Sequence, residues 1–531
     1  VHSADGRVAP PAPVRAGSQV PGAGAIMRGV GVQDWVGPIL SVLRPRRRRV
    51  TASPGRTSIE LRPPRSEQAD PLAAALSERL GSLPGVVHVD PNPVLCRVVV
   101  DHDDSVSRDE LLAAVEDAEV DAGTSGHDLP DTLAGHPADA EPVARAVLEV
   151  AGDVIGIALA GVSYAVGLPR PVALVDVAAA VTELQNAPPL RRAVDRALGA
   201  ARAELALAAA ASVAQGLAGN VLSPVVGATY HSLRFVELQA RRAVWRRCEH
   251  ELHPGRPVPA PAWHLPDPDR VVPLPDGPVE TSSEAIWLAS IGVFVAGLPL
   301  TGGVQRSLSG LAAGYPKAAR LGREAFAGRL VARLCAGGVV VLHPEVARVL
   351  DRVDAAVFDA AVADPAAAEL AREVGLEVEV VASGDTGAAV TRLQREGRVV
   401  LAVGDASSSG LASADCAVGV VRGDRVPWVA DVLVVAGALD AAGALLGAVP
   451  VARRVSHRSA VLTVLGAVVG TGLALGRVAV PWLPTALTAV DLAALVAIAG
   501  GVADAERLPL PAASGAGAGR PPLALVAGTP A

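Results

Sequence analysis

The sequence predicts a multi-domain α+β membrane protein. Three observations predict it. Hydrophobic residues make up 50% of the 531, with a mean hydropathy of +0.38, which exceeds what a soluble chain of this length needs. Apolar runs that approach a bilayer thickness recur after residue 146. Ahead of them, residues 58–121 alternate strand-like and helix-like patterns. Composition also excludes classes: a net charge of −7 without a domain-wide basic field argues against a nucleic-acid partner. Cys96, Cys248, Cys335 and Cys416 lie far apart with no Cys-x-x-Cys pair, so neither a disulfide framework nor a thiolate metal site is indicated. No Walker loop, His-Glu-x-x-His or Gly-x-Ser-x-Gly stands in the chain.

Residues 1–57, rich in Pro, Gly and Arg, read as a disordered basic leader. Its cluster Arg44, Arg46, Arg47, Arg48 and Arg49 reads as a solvated arm or as a contact for anionic lipid headgroups. A strand (58–62), a helix (71–83), paired strands (86–90 and 95–101) around Pro91-Asn92-Pro93, and a second helix (108–118) follow. Ser105 or Ser107 caps that helix, with Asp109 and Glu110 in its first turn. Strand, helix, strand, strand, helix is the ferredoxin-like order, expected for a domain over residues 58–121. Cys96 reads as a small core residue on its strand.

After a linker (122–145), residues 146–233 carry apolar runs at 146–166, 172–181 and 205–226 and are expected to be transmembrane. Glu149 and Asp153, one helical turn apart, share a face. Asp176, Glu204, Gln215 and Asn220 are candidates to line a cation path, because oxygen ligands suit hard cations and intramembrane polar groups mark ion pathways. Gly216 and Gly219 suit close helix packing. The arginines around Arg234 to Arg247 suggest a cytoplasmic amphipathic helix, opening a connector over 234–284. Residues 285–330 form a possible transmembrane pair, although Lys317, Arg320 and Arg323 make 308–326 a poor isolated span. Within 451–503, runs at 460–475 and 478–499 read as a hairpin with both ends cytoplasmic, given Arg453, Arg454, Arg458 and Arg507. Residues 504–531 read as a disordered tail. Four to six spans in the plasma membrane are expected, and the scattered histidines read as solvated.

Between the last two membrane regions, over 331–450, the chain carries an apolar strand ending Val357-Phe358-Asp359, then Val381-Ala382-Ser383-Gly384-Asp385, then Val399-Val400-Leu401-Ala402-Val403-Gly404-Asp405 and Leu411-Ala412-Ser413-Ala414-Asp415. Pro316 lies 43 residues before Asp359. These motifs, in this order, resemble those of P-type cation-transporting ATPases, and the chain is similar to the amino-terminal, degenerate half of actinobacterial cation-transporting ATPase I proteins. The resemblance implies a reduced haloacid-dehalogenase-like, doubly wound α/β domain with Asp359 at the phosphorylated position. It places Ser383 and Asp385 at the Thr-Gly-Asp strand end and Asp405 at the Mg-binding loop. Residues 58–121 resemble a heavy-metal-associated domain without its Met-x-Cys-x-x-Cys ligands, the loop here reading Arg62 to Asp70. Pro316 corresponds to the membrane proline, with Tyr315 and Lys317 in place of its cysteines.

The departures weigh as much as the matches. Ala360 to Ala363 follow Asp359 where a lysine and threonines would neutralise the phosphoryl group. The only lysine of the chain is Lys317, and Arg392, Arg395 or Arg398 substitute for one imperfectly. Ala406 to Gly410 remove the second carboxylate and the asparagine, leaving Asp359 and Asp405 as weak Mg²⁺ candidates. Only 24 positions separate Asp359 from Ser383, too few for a nucleotide-binding domain. The expectation is therefore a catalytically silent pump-like membrane module, in contact with lipid and partnered by an intact ATPase half. The alternatives are an active cation pump phosphorylated on Asp359, requiring ATP and Mg²⁺, and a membrane-tethered phosphatase or binding module of the same fold.

Overall fold

A computed structural model describes residues 48–130, 135–166, 193–197, 199–218, 220–253, 265, 270, 272–301, 304–435, 440–476 and 485–510. The architecture is mixed α/β, with two sheets and a set of long apolar helices.

The first sheet is antiparallel, in the order β1 (Val50–Ser53), β2 (Arg56–Glu60), β4 (Arg97–His102), β3 (Val86–Asn92). Helices α1 (Ser66–Gly81) and α2 (Arg108–Asp121) pack on it through Leu72, Leu76, Leu80, Leu111 and Val115, which meet Ile59, Val98 and Val100. Ser107 caps α2 reciprocally with Glu110. The leader read as unstructured through residue 57 yields here, because the β1–β2 hairpin begins at Val50. Arg48 and Arg49 are neither solvated nor lipid-facing: Arg48 forks onto buried Glu119 at 2.7 and 2.8 Å, and Arg49 reaches Glu141 at 2.7 Å. Arg44, Arg46 and Arg47 of that cluster lie outside the described residues. Cys96 sits in the turn before β4 at φ +50 rather than on a strand, where burial pushes its thiol up to about 12.

Four of the described helices are long and apolar enough to cross a membrane: Glu141–Ala165, Pro278–Pro299, Ala442–Ala474 and Ala486–Arg507. The first is α3 (Glu141–Ala165), packed on α4 (Ala200–Leu217) and on α5 (Leu222–Leu252). The run 205–226 is not one span but the end of α4 and the start of α5, parted at residues 218–221. The run 172–181, with Asp176, lies outside the described residues. After α6 (Pro278–Thr301) come α7 (Val304–Ala313) and α8 (Lys317–Ala336), broken at Gly314, Tyr315 and Pro316. Proline fixes φ and lacks an amide donor, so the helix restarts there, with Pro316 as N-cap of α8. α8 is amply charged and buried along most of its length, a central post rather than a lipid-facing span.

The second sheet has the order β5 (Val340–Val341), β10 (Val432–Val434), β9 (Cys416–Val420), β8 (Val400–Gly404), β6 (Ala355–Asp359), β7 (Glu377–Val381). The pairs from β10 to β7 are parallel and β5 is antiparallel. Residues of β6, β8 and β9 are buried throughout, which is why these strands are continuous Val/Ala/Leu runs rather than alternating ones. Helices α9 (Pro365–Glu373) and α10 (Thr386–Arg395) make the crossovers. The chain then enters α11 (Asp440–Ala474), whose first turns, at Leu445, Leu446 and Val449, bury in the same core as the sheet, while Val461, Val464, Leu465 and Val468 are exposed further along. α12 (Ala486–Arg507) returns alongside α8 and α11.

The arginines of α5 divide between an exposed pair, Arg246 and Arg247, and others drawn inward. Arg241 is 1% exposed and donates to the carbonyls of Val341 at 3.0 Å and Leu342 at 2.6 Å, tying α5 to the sheet edge. Beside it Trp245 packs edge-on to His136 at 4.4 Å, and His253 stacks on Trp428 at 4.9 Å. His253, 3% exposed and 2.5 Å from Asp90, is a junction residue, contrary to the expectation that the histidines are solvated.

Candidate functional site

Two polar constellations stand out, one at the sheet and one among the helices. In the second sheet, β6 is the first strand in sequence among the parallel five and lies between β7 and β8, so the strand order reverses at the β6/β8 boundary. Ligands of open parallel sheets bind at the carboxyl ends of strands on either side of such a reversal. Register brings the motif residues there: Asp359 pairs with Val381, two positions before Ser383, and Phe358 pairs with Val403, just before Gly404 and Asp405.

Asp359 is fully buried. Its Oδ1 accepts from the Ala361 amide at 2.9 Å and the Ser383 hydroxyl at 2.8 Å, and its Oδ2 accepts from Ser408 Oγ. All three donors are neutral. Ser408 accepts in turn from the Asp405 amide at 2.9 Å, while Asp405 Oδ1 accepts from the Ser407 amide at 2.9 Å and hydroxyl at 2.6 Å. Ser409 completes the closure, receiving the Gly387 amide at 3.1 Å. Gly404 makes room for this, since a Cβ there would collide with Ser408. Asp385 stands exposed ahead of α10 with no side-chain cap. Arg392 is engaged by Glu379 and Glu396, and Arg398 by Asp354 and Glu377.

The structure therefore brings Asp359, Ser383 and Asp405 to one crevice and leaves Asp385 at its rim. Sequence reasoning missed Ser408, whose signal is a hydroxyl in the loop that follows Gly404-Asp405. Among the described residues no group of three or more His, Cys, Asp or Glu side chains is placed to hold a metal ion, and Asp359 and Asp405 stand as a pair.

Among the helices, a cavity of about 170 Å³ is lined from α3, α4, α5, α8 and α12. The buried face of α3 repeats Glu149, Asp153, Gly156 and Ala160 at helical spacing. Asp153 accepts from Ser212 and lies 2.7 Å from His231 Nδ1. Glu204 lines the cavity in an ion pair with Arg234 at 2.8 Å. Lys317 Nζ sits 2.6 Å from Asp491 Oδ1 and 3.3 Å from Ser223 Oγ, and Asn220 donates to Asp491 Oδ2 at 3.1 Å. Pro316 stands between the lining residues Tyr315 and Lys317. Sequence reasoning missed His231 and Asp491; a lone carboxylate in the apolar run of α12 was the available signal for the second.

Comparison with known proteins finds partial relatives. "Probable cation-transporting ATPase I" of Mycobacterium tuberculosis H37Rv is 26% identical over 419 residues, covering 66% of this chain and 25% of that protein. The protein of the same name from Mycobacterium leprae is 26% identical over 332 residues, covering 54% and 20%. The chain resembles one part of a cation-transporting ATPase I. It spans about a quarter of the length of these curated relatives. No family model matches it. The four candidate spans and the similarity to cation-transporting ATPase I support a membrane protein with a resemblance to cation-transport proteins.

Proposed function

We propose that this chain is a catalytically silent P-type ATPase-like membrane module, whose role is to assemble with an intact pump half through its helices and docking surfaces. The observation that carries this reading is the sealed crevice: the Asp359 carboxylate spends both oxygens on neutral donors of its own chain, with no ion-pair partner among the described residues. Phosphoryl transfer depends on charge compensation around the transferred group, and the stretch from Asp359 to Ser383, 24 positions on, holds one helix and one strand. In this reading residues 58–121 are a ferredoxin-like, heavy-metal-associated-like domain, in which β1 lies beside β2 as an outer strand. Residues 331–450 are a reduced haloacid-dehalogenase-like domain, and both face the cytoplasm from the plasma membrane.

A second reading, an active cation pump phosphorylated on Asp359 with ATP and Mg²⁺, draws on the meeting of Asp359, Ser383 and Asp405 at the strand-order reversal. Incubation of the detergent-purified protein with γ-labelled ATP and Mg²⁺, followed by acid quench, separates the two. The silent module takes no label. Label on the wild type that is absent from Asp359→Asn establishes the pump.

A further inference from the structure

The Lys317–Asp491 pair balances its own charges, but the other half of the helix cluster does not. Glu149 is 2% exposed, and among the described residues neither of its carboxylate oxygens has a hydrogen-bond partner. Its nearest cationic candidate is His231, whose Nε2 lies 4.0 Å from Glu149 Oε2. The other ring nitrogen is committed: Asp153 takes the Ser212 hydroxyl on Oδ1, and its acceptor-only Oδ2 faces Nδ1 at 2.7 Å. That contact places a proton on Nδ1 and turns Nε2 toward Glu149 across 4.0 Å. An unpartnered carboxylate in so buried a place is costly unless a proton or a cation joins it.

We propose that Glu149 and His231 form a proton-binding site inside the helix bundle, with the proton on the Glu149 carboxyl and the imidazole anchored by Asp153. One proton removes the buried negative charge of Glu149 and turns its carboxyl from acceptor-only into a donor. A hydronium ion delivers it and leaves as water, with no other bond made or broken. Other charged groups face the site from α3, α4, α5 and α8. On α3, Arg145 donates through Nη2 to Glu141 at 3.2 Å and keeps its buried Nε and Nη1 without a hydrogen-bond partner among the described residues, one turn from Glu149. Glu204 on α4 is paired with Arg234 on α5, and Tyr230 on α5 and Arg320 on α8 line the cavity beside it without reaching Glu149. A proton suits the pair better than a metal ion, because no third ligand of the described residues converges on it.

Supply is also built in. Asp153 and His231 line the cavity of about 170 Å³. That cavity shares Glu204, Tyr230 and Arg320 with a second, of about 180 Å³, which reaches Pro344 and Glu345 at the foot of the second sheet. At ~30 Å³ per water, each holds several. Buried carboxylates and histidines along such routes are the usual material of proton relays. This site lies on α3 and α5, apart from Asp359, and stands whether or not that residue is phosphorylated.

The test is infrared spectroscopy of the full chain in lipid bilayers, comparing wild type, Glu149→Gln, His231→Leu and Asp491→Asn. The expected result is a protonated-carboxyl C=O band at neutral pH that is lost in Glu149→Gln, shifted in frequency in His231→Leu and retained in Asp491→Asn. Circular dichroism establishes that each variant keeps its helices. Absence of the band in folded wild type, or its survival in Glu149→Gln, overturns the proposal. So does its removal by Na⁺, K⁺ or Mg²⁺ at constant pH, which would make the site one for a cation.

Discussion

Replacing Lys317 by methionine removes the only lysine of the chain and leaves the Asp491 carboxylate, 2% exposed, without its cation. Breaking a buried ion pair from one side costs about 3–5 kcal/mol, because the remaining charge stays desolvated. Two features place this case at the low end, about 3 kcal/mol: the Lys317 side chain is itself 20% exposed, and Asn220 still donates to the other Asp491 oxygen. The double substitution Lys317→Met with Asp491→Leu removes both charges and returns stability to within about 1 kcal/mol of wild type, since an apolar pair of similar volume replaces a buried ion pair at little cost. Reversible unfolding in mixed micelles reads both, and the cycle isolates the coupling. The reasoning fails if the single substitution costs under about 1 kcal/mol, as an exposed pair would, or if the double variant is no more stable than the single one.

Three further outcomes follow from packing and charge. Ser408→Ala strips a donor from the fully buried Asp359 and lowers stability by about 1–3 kcal/mol in thermal unfolding. Gly216→Val drives a side chain into the backbone of Gly156 across the α3–α4 contact and costs about 1–3 kcal/mol, while Gly161→Ala, which meets nothing within 4 Å, changes stability by under about 0.5 kcal/mol. At Glu119, burial raises the carboxyl but the hydrogen bonds and charges of Arg48 and Arg62 outweigh it and hold it below the usual glutamate range. A group lowered on folding adds stability above its unfolded value, near 4.3, and loses it as pH falls through the folded one. Glu119→Gln therefore flattens the acid limb of a stability-against-pH profile and leaves its slope above neutrality unchanged.

What could be read in the chain before folding was local. The run Val399 to Gly404 announces a strand buried on both faces, and β8 spans Val400–Gly404. The Ser107–Glu110 capping box announces the start of α2. Pairings were not legible, because nothing local tells an arginine which partner it will meet. Arg48 finds Glu119 across 71 positions, Arg241 finds the Val341 carbonyl across 100, and His231 finds Asp153 across 78. The division of the run 205–226 into two helices was equally hidden, since hydropathy counts apolar residues and does not register where the backbone changes direction. At the crevice, the missing lysine and asparagine could be read directly. The serine that closes the gap could not, because its hydroxyl acts only once Gly404 lets the loop fold inward.

α11 runs 35 residues without interruption from the core of the second sheet to the far end of a candidate membrane span. At 1.5 Å per residue it is a rod of about 52 Å. A rod of this kind transmits torque: a few degrees of roll imposed where Leu445 and Val449 grip the sheet arrive at Val464 and Val468 as the same roll, turning those side chains across the lipid. Only Pro450, which deletes one rung of the hydrogen-bond ladder, offers the rod a place to bend. Such a rotation passes between the two ends of the helix whatever chemistry the crevice does or does not perform.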